Sequence, residues 1–226
     1  MAQRSILIVA PHPDDETLGC GGTLAKRARE GCNVAVVVVT DGRNLFRLSR
    51  FKIEVDPTPA ETSAMRKEET RRAVDILGGH REAIRFLDVE DAALAGQIEP
   101  VSETLSAIIG DVTPDEIYVT SEHENHPDHV AACAVVRSAM WKTQSHATLY
   151  RYIVSLRPGV SLSSVPEPSV TIDIAEQLET KRRAVSQFAS HLKVVANGQT
   201  EPFFRNVDQW LQPREVFFVD PKRPPT

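Results

Sequence analysis

The sequence predicts an α/β fold with a largely parallel sheet, and three observations support this prediction. First, Ile6-Leu7-Ile8-Val9 is an apolar run whose length and branching suit a buried parallel strand. Second, residues 18–30 have the pattern of a helix, and residues 33–40 form the clearest buried strand in the chain. Third, a strand, a helix and a strand at this spacing form a right-handed crossover unit, which then recurs along the chain.

The later elements repeat this alternation. Helical spacing over residues 61–77 stops at Gly78-Gly79, as expected at the C-terminus of a helix. The elements predicted after it are a strand at 84–87, a helix at 99–109, a strand at 116–119, a helix at 130–141, strands at 148–154 and 169–173, a helix at 175–191 and a final strand at 215–219. We expect residues 1–226 to form a single domain whose last residues, 221–226, are frayed.

Residues 42–59 interrupt the pattern, because they carry no clear periodic element. Loops longer than about 12 to 15 residues in a compact domain are usually functional or disordered. Phe46 and Phe51, with the basic residues around them, could form a mobile wall over a site. The alternative is a solvated insertion that contains a short helix.

Charge and composition argue against several classes of function. The 226 residues carry a formal net charge of −5, and the basic residues are scattered, so no nucleic-acid partner is expected. The N-terminus lacks the apolar core of a signal peptide, and no apolar run approaches the ~20 residues of a membrane span. We therefore expect a cytoplasmic protein. The 3 cysteines include no C-x-x-C pair, so neither a disulfide framework nor a thiolate zinc site is expected.

The loop at residues 10–17, after the first strand, is rich in reactive side chains. His12, Asp14 and Asp15 lie at the carboxyl end of this strand, where the ligand crevice of an open α/β sheet is found. Such groups would repel each other and lose hydration unless a cation or a reaction required them there. An acidic helix start is the structural alternative. A dinucleotide loop at residues 19–22 is excluded, because the third glycine of that fingerprint is missing.

A second cluster follows the strand at 116–119. Three of the chain's 7 histidines, namely His123, His126 and His129, lie between that strand and the next helix. If the two strands are close in the sheet, His12, Asp15 and one histidine of this loop can approach one ion from two sides. A catalytic zinc ion keeps three protein ligands and one open position. His126 and His129 share a face at a helix start, so either could be the third ligand.

Five segments of the sequence together point to a known family. They are Pro11-His12-Pro13-Asp14-Asp15-Glu16, Gly21-Gly22-Thr23, Thr40-Asp41-Gly42, residues 66–69 and His126-Pro127-Asp128-His129. With these segments the chain resembles the PIG-L/LmbE family of zinc-dependent de-N-acetylases, from residue 5 to about residue 152 and weakly over 181–191. The resemblance implies a Rossmann-like three-layer sandwich with a mostly parallel sheet. It also implies removal of an N-acetyl group from an N-acetylglucosaminyl compound, such as an inositol or malate conjugate or chitobiose.

Carried over residue by residue, the resemblance implies one zinc ion per chain, held by His12, Asp15 and His129. Asp14 would be the general base for the attacking water. Neighbouring side chains of an extended backbone point opposite ways, which would let Asp14 and Asp15 play different parts. The expected partner is therefore a small N-acetylated amino-sugar substrate.

The resemblance implies further roles around this centre. His126 would donate a proton or a hydrogen bond to the developing oxyanion and the leaving amine, and Asp128 would orient His126. Arg66 resembles the family arginine that holds sugar hydroxyls or a substrate anion, and we expect Asp41 and Arg43 to contact substrate beside it.

Other readings remain open at this point. A metal phosphoesterase also uses His and Asp ligands, but it usually holds two metals about 3.5 to 4 Å apart. A catalytically silent sugar-binding module would need neither the base Asp14 nor the acid His126. The family's late Ser-Gln pair appears here as Ser190-His191. Homo-oligomers are common in the family, so the resemblance implies a homo-oligomer. The sequence itself shows no self-complementary apolar stripe that would indicate one.

Overall fold

The structure is a computed structural model that describes residues 3–49, 51–53, 55–156 and 168–220. The helices in these ranges are α1 (Asp15–Arg29), α2 (Pro59–Ile76), α3 (Ile98–Val112), α4 (Pro127–Lys142), α5 (Leu178–Val185) and α6 (Ala189–Leu192). The strands are β1 (Ser5–Ala10), β2 (Asn33–Thr40), β3 (Ile84–Val89), β4 (Glu116–Thr120), β5 (Thr148–Tyr152), β6 (Ser169–Asp173) and β7 (Arg214–Val219). The tail predicted to fray lies outside the described residues.

The described strands form one sheet in the order β3-β2-β1-β4-β5-β7-β6. The pairs β3–β2, β2–β1, β1–β4 and β4–β5 are parallel, whereas β7 pairs antiparallel with both β5 and β6. The chain winds outward from β1 in one direction and from β4 in the other. The crevice between the carboxyl ends of β1 and β4 is therefore the topological switch point at which α/β sheets bind ligands.

Helices cover both faces of the sheet, because alternate side chains of each central strand point to opposite sides. Leu7 and Val9 pack with residues of α3 and α4 in one apolar cluster. Ile6 and Ile8 pack with residues of α1, α2 and α5 in another. The predicted α/β fold, a three-layer sandwich with a mostly parallel sheet, is confirmed.

Two helices begin earlier than the apolar pattern indicates. Helix α1 begins at Asp15, and the backbone carbonyl of Asp14 accepts the first helical N–H groups. Helix α4 begins at Pro127, because the His126 side chain caps it by accepting the N–H of Asp128. Proline suits this first helical position, since its missing N–H would have no helical partner. His129 therefore lies in the first turn of α4 and not in the preceding loop.

The helix predicted at 175–191 is wrong in extent, because the chain breaks it into α5 and α6. Phe188 takes a non-helical backbone conformation at the break and buries its ring in the core. The next turn then brings Ser190 and His191 inward, and both are buried. A continuous helix would carry these two residues along the axis of α5 and away from this position.

Residues 42–58 hold turns in their described part and no long helix. Phe46 is buried, and its ring lies 5.5 Å from that of Phe203, while Phe51 meets the same ring edge-on at 5.1 Å. Phe46 is therefore an anchor of a small core and not an exposed wall. Among the described helices, none combines the length and the apolar character needed to cross a membrane.

Candidate metal centre and pocket

Three predicted ligands meet at the carboxyl ends of β1 and β4. His12 Nδ1 lies 3.2 Å from Asp15 Oδ2 and 3.1 Å from His129 Nε2, and His129 Nε2 lies 3.2 Å from Asp15 Oδ2. Ligands held tetrahedrally at about 2.0 to 2.1 Å from a zinc ion are about 3.3 Å apart. The three atoms therefore form a triangle of the size that such an ion requires, from residues 117 positions apart in the chain.

The triangle is supported by a second layer of carboxylates. His12 Nε2 lies 3.2 Å from Asp91 Oδ1 and 3.3 Å from Asp128 Oδ2. His129 Nδ1 lies 3.3 Å from Glu124 Oε2. Carboxylates in these positions fix the ring orientation of metal-binding histidines and make their other nitrogen more basic. The sequence analysis did not single out Asp91 or Glu124, although Glu124 lies inside the histidine-rich loop.

The electrostatics of this cluster favour positive charge. Burial lowers the pKa of His12, but hydrogen bonds to carboxylates, that of Asp128 first, outweigh burial and hold this pKa well above its usual range. Burial likewise opposes ionisation of Asp15, yet the charge of His129 and the hydrogen bond to His12 hold its pKa well below the usual value. An excess of buried carboxylates around two imidazoles is a donor set suited to a divalent cation.

Asp14 points away from the triangle and is held on both carboxylate oxygens. Arg66 Nη2 lies 3.4 Å from Oδ1, and His191 Nε2 lies 3.2 Å from Oδ2. Asp14 has a φ of 135°, a backbone conformation that residues other than glycine rarely adopt. Burial, opposed by Arg66, raises the pKa of Asp14 to about 7. This carboxylate is thus a buried group that gains a proton near neutral pH.

His126 lies beside the triangle, with its ring centroid 4.6 Å from that of His12. Its Nδ1 accepts the backbone N–H of Asp128 at 3.2 Å. Burial, together with the charges of His12 and His129, lowers the pKa of His126 to about 4. A neutral His126 whose Nδ1 accepts carries its proton on Nε2 and is a hydrogen-bond donor.

The side chain of Asp128 does not orient His126 as predicted. Its carboxylate accepts the N–H groups of Ala92 at 2.8 Å and Leu94 at 3.2 Å and faces His12. These contacts follow from the first turn of α4, which directs the carboxylate towards the loop after β3. The contact with His126 is made by the Asp128 backbone instead.

Of the three residues predicted to contact substrate, one lines the pocket. Arg66 lines the pocket, but its guanidinium also donates to Gly42 O at 3.1 Å and Pro13 O at 2.8 Å, so it ties two loops together. Asp41 is buried, and its carboxylate accepts the N–H of Arg43 at 3.1 Å. Asp41 and Arg43 are not among the described residues that line this pocket, and their contact with substrate stays a prediction.

The pocket above the triangle has a volume of about 310 Å³. Its polar lining residues include those of the metal centre with Asn44, Ser49, Asp91 and His191. Its apolar lining residues are Leu18, Leu45, Leu48, Val154, Phe203 and Phe204. The sequence leaves open whether the stretch Pro202-Phe203-Phe204 covers the core or forms one wall of the pocket, and in the structure Phe203 and Phe204 both line the pocket.

Comparison with known proteins shows the family to which the chain belongs. A family model, PIG-L, described as GlcNAc-PI de-N-acetylase, matches residues 7–140. A Rhodococcus opacus protein named 1D-myo-inositol 2-acetamido-2-deoxy-alpha-D-glucopyranoside deacetylase is 27% identical, over 97% of this chain and 92% of its own length. The diacetylchitobiose deacetylase of Thermococcus kodakarensis is 26% identical, over 90% of this chain and 76% of its own.

A solved structure shows the same fold. The N,N'-diacetylchitobiose deacetylase of Pyrococcus horikoshii superimposes with a TM-score of 0.73 at 20% sequence identity. The match covers 96% of this chain and 83% of that one.

Proposed function

Because the chain belongs to the PIG-L family, we propose that it is a hydrolase that removes the N-acetyl group from an N-acetylglucosamine-containing small molecule or glycoconjugate. The observation that carries this proposal is the triangle of His12, Asp15 and His129 with the carboxylate of Asp14 beside it. The names of the relatives, which are deacetylases of amino-sugar compounds, support the substrate class.

His12, Asp15 and His129 would hold one zinc ion. When bound, zinc lowers the pKa of a coordinated water towards ~7 and polarises the amide carbonyl. The size of the triangle and the surrounding carboxylates fit this ion. His12 and His129 would both be fixed in orientation by their second-layer carboxylates, so the three donors need no rearrangement to bind.

Asp14 would act as the general base. Asp14 lines the pocket, and Arg66 and His191 lie against its two carboxylate oxygens, so a remaining lone pair of the carboxylate would take the proton from the attacking water. Its raised pKa suits this task, because a base works best when its pKa lies near the working pH. Arg66 would keep the carboxylate ionised by lying against Oδ1.

His126 would stabilise the oxyanion or protonate the leaving amine. The Asp128 N–H occupies its Nδ1, so the remaining N–H of the neutral ring is available to substrate. Removal of one such donor typically slows turnover about 100- to 1,000-fold. The contribution is a directed hydrogen bond and not a full positive charge, because burial disfavours the imidazolium.

Two alternatives meet specific difficulties. A two-metal phosphoesterase would need a second ion. The described donor groups that could hold one are His12 with His126 and His129, and His12 with Asp91 and Asp128, and both share His12 with the triangle. In the latter group, the Asp128 carboxylate already accepts two backbone N–H groups. A catalytically silent sugar-binding module would need neither a base such as Asp14 nor a proton donor such as His126 at this position.

The test is acetate release by the purified, zinc-loaded protein from a panel of N-acetylglucosaminyl compounds that includes the inositol conjugate, the malate conjugate and diacetylchitobiose. We expect release from at least one compound, loss of release in a chelator, and recovery with one equivalent of zinc. Release that persists in the chelator would exclude the metal mechanism. Two bound metals with cleavage of phosphate esters would favour the phosphoesterase.

A further inference from the structure

The turn after α5 places a hydrogen-bonded chain of three residues behind Asp14. His191 Nε2 lies 3.2 Å from Asp14 Oδ2, and its Nδ1 lies 3.0 Å from Ser190 Oγ. Ser190 Oγ in turn donates to Glu69 Oε2 at 2.6 Å, and the Ser190 N–H donates to Glu69 Oε1 at 2.8 Å. All three residues are buried, Glu69 with 1% and His191 with 4% of its surface exposed.

The polar contacts of His191 lie on both edges of its ring. Ser190 donates both its N–H and its O–H to the Glu69 carboxylate, which holds its Oγ beside Nδ1 of His191. Nε2 lies on the other edge of the ring and faces Asp14. These two contacts restrain the plane of the imidazole.

The faces of the ring are restrained as well. The Phe204 ring stacks on His191 at 4.9 Å with an interplanar angle of 23°. The Phe203 ring lies at 5.8 Å. Polar contacts at both edges and an aromatic ring on one face leave the imidazole little freedom to turn away from Asp14.

Both restraints on Asp14 originate on one face of α2. Arg66 contacts Oδ1 directly, whereas Glu69, three residues further along the helix, reaches Oδ2 through Ser190 and His191. Residues three apart lie on the same side of a helix. Asp14 has a φ of 135° and gains no helical hydrogen bond through its own N–H, which donates to Glu16 Oε2. Its carboxylate therefore depends on these external partners for its direction.

We propose that Glu69, Ser190 and His191 form a positioning chain that holds the Asp14 carboxylate in the direction needed to take a proton from water. The inference rests on the proposed function, because the positioning chain would affect catalysis only through Asp14, the proposed base. His191 is a positioning residue in this scheme, and Ser190 and Glu69 act through it.

The experiment compares His191→Leu, His191→Gln, Ser190→Ala and Glu69→Gln in the zinc-loaded enzyme, with kcat, KM, zinc content and Tm measured for each. We expect His191→Leu to lower kcat about 10- to 100-fold with KM changed less than about 3-fold, because a base displaced by about 1 Å loses rate and not ground-state binding. His191→Gln should recover most of kcat, because the glutamine amide can donate or accept a hydrogen bond in the direction of Asp14. Ser190→Ala and Glu69→Gln should lower kcat less than His191→Leu does.

The matched control is Glu68→Gln, which removes a carboxylate from the neighbouring position that faces Arg81 and Arg71 at the surface. We expect wild-type kcat from this variant. Adding Ser190→Ala to His191→Leu should cause little further loss, because residues that act through one contact are non-additive. Equal and additive losses, an effect confined to KM, or loss of zinc would overturn the proposal.

Asp14→Asn separates this inference from the proposed function. If Asp14→Asn is inactive while zinc-loaded His191→Leu keeps the wild-type kcat, the positioning chain is wrong and the base assignment stands. If Asp14→Asn itself keeps full activity, the proposed catalytic function of this site is wrong.

Discussion

Two buried clusters of charge in this molecule are organised in opposite ways. Beneath α1, Lys181 is 1% exposed, and its Nζ donates to Glu215 Oε1 at 2.7 Å and to Leu18 O at 2.9 Å. Glu215 also accepts the N–H groups of Gly22 at 2.9 Å and Thr23 at 2.7 Å. One cation meets one anion, and both are hydrogen-bonded within the protein.

The cluster at the ends of β1 and β4 lacks such a balance. Its two triangle histidines are surrounded by the carboxylates of Asp15, Asp91, Glu124 and Asp128. Buried charges of one sign destabilise a fold unless a counter-charge is supplied. The Lys181 pair therefore balances its own charge within the fold, whereas the histidine cluster has a donor set suited to an added cation.

The largest expected effect is on activity when a donor of the triangle is removed. His129→Ala should lose bound zinc and all measurable deacetylation, because two donors hold the ion much less well than three. Metal analysis of the purified variant checks this directly. Stoichiometric zinc in His129→Ala, with zinc lost from His126→Ala, would exchange the assignments of the two histidines.

A smaller loss is expected when the base is removed but the ion is kept. Asp14→Asn should slow turnover about 100- to 10,000-fold, the usual contribution of a general base, while zinc content stays at one per chain. Parallel measurements of kcat and zinc content test this. A variant that loses zinc would place Asp14 among the ligands.

Loss of the ion pair between Lys181 and Glu215 should lower the free energy of unfolding and leave the metal content unchanged. Lys181→Met should lower the free energy of unfolding by about 3 to 5 kcal/mol, because Glu215 would remain buried without its cation. Urea unfolding of the chelated protein checks the value. The control, Arg29→Met, removes an exposed pair with Glu176 and should cost less than about 1 kcal/mol. Similar losses in both variants would remove the contrast between buried and exposed pairs.

Zinc itself should distinguish the two clusters. At a free concentration 100 times its Kd, zinc should stabilise the wild type by about 2.7 kcal/mol, since it binds the folded site. His12→Ala should show almost none of this gain, whereas Lys181→Met should show all of it. Thermal unfolding with zinc and with chelator measures the difference. A gain retained in His12→Ala would mean that zinc binds elsewhere.

The smallest effect concerns a third charged group. Burial opposes ionisation of Glu122, but hydrogen bonds from the backbone and Arg137 and the charge of Arg151 lower its pKa to about 2. A lowered carboxylate pKa adds stability above the unfolded value of about 4.3 and loses it as the pH falls towards 2. Glu122→Gln should therefore cost about 1 kcal/mol at pH 7 and nothing near pH 2. Urea unfolding measures the difference in free energy of unfolding between the wild type and Glu122→Gln. A difference that does not change with pH would contradict the explanation by the lowered pKa.

Much of the fold could be predicted because its signals are local. Strand β2 has the predicted bounds, Asn33–Thr40, since eight residues of apolar and β-branched character are hard to place otherwise. The break between α5 and α6 could not be predicted, because it depends on the burial of Phe188 and on Glu69, a partner over a hundred residues away. The antiparallel edge formed by β6 and β7 likewise depends on pairing and not on pattern.

The same distinction divides the site. The convergence of His12, Asp15 and His129 could be predicted, because each residue follows a strand and parallel strands end at one edge of the sheet. The positions of Asp91 and His191 could not, since each comes from a segment whose local sequence carries no metal or acid-base pattern. Sequence reasoning therefore predicted which three residues converge, and it missed Asp91 and Glu124, two of the carboxylates beside the rings of His12 and His129.

The pairing of β1 with β4 also has a consequence for how the protein is made. These neighbouring strands are separated by more than a hundred residues of chain, so ribosomal synthesis delivers His12 and Asp15 long before His129. A nascent chain that ends before α4 carries only part of the triangle and no fourth strand to align it. If the triangle holds a metal as proposed, all three donors become available only after the middle of the polypeptide has emerged, and an occupied centre would mark a completed central sheet.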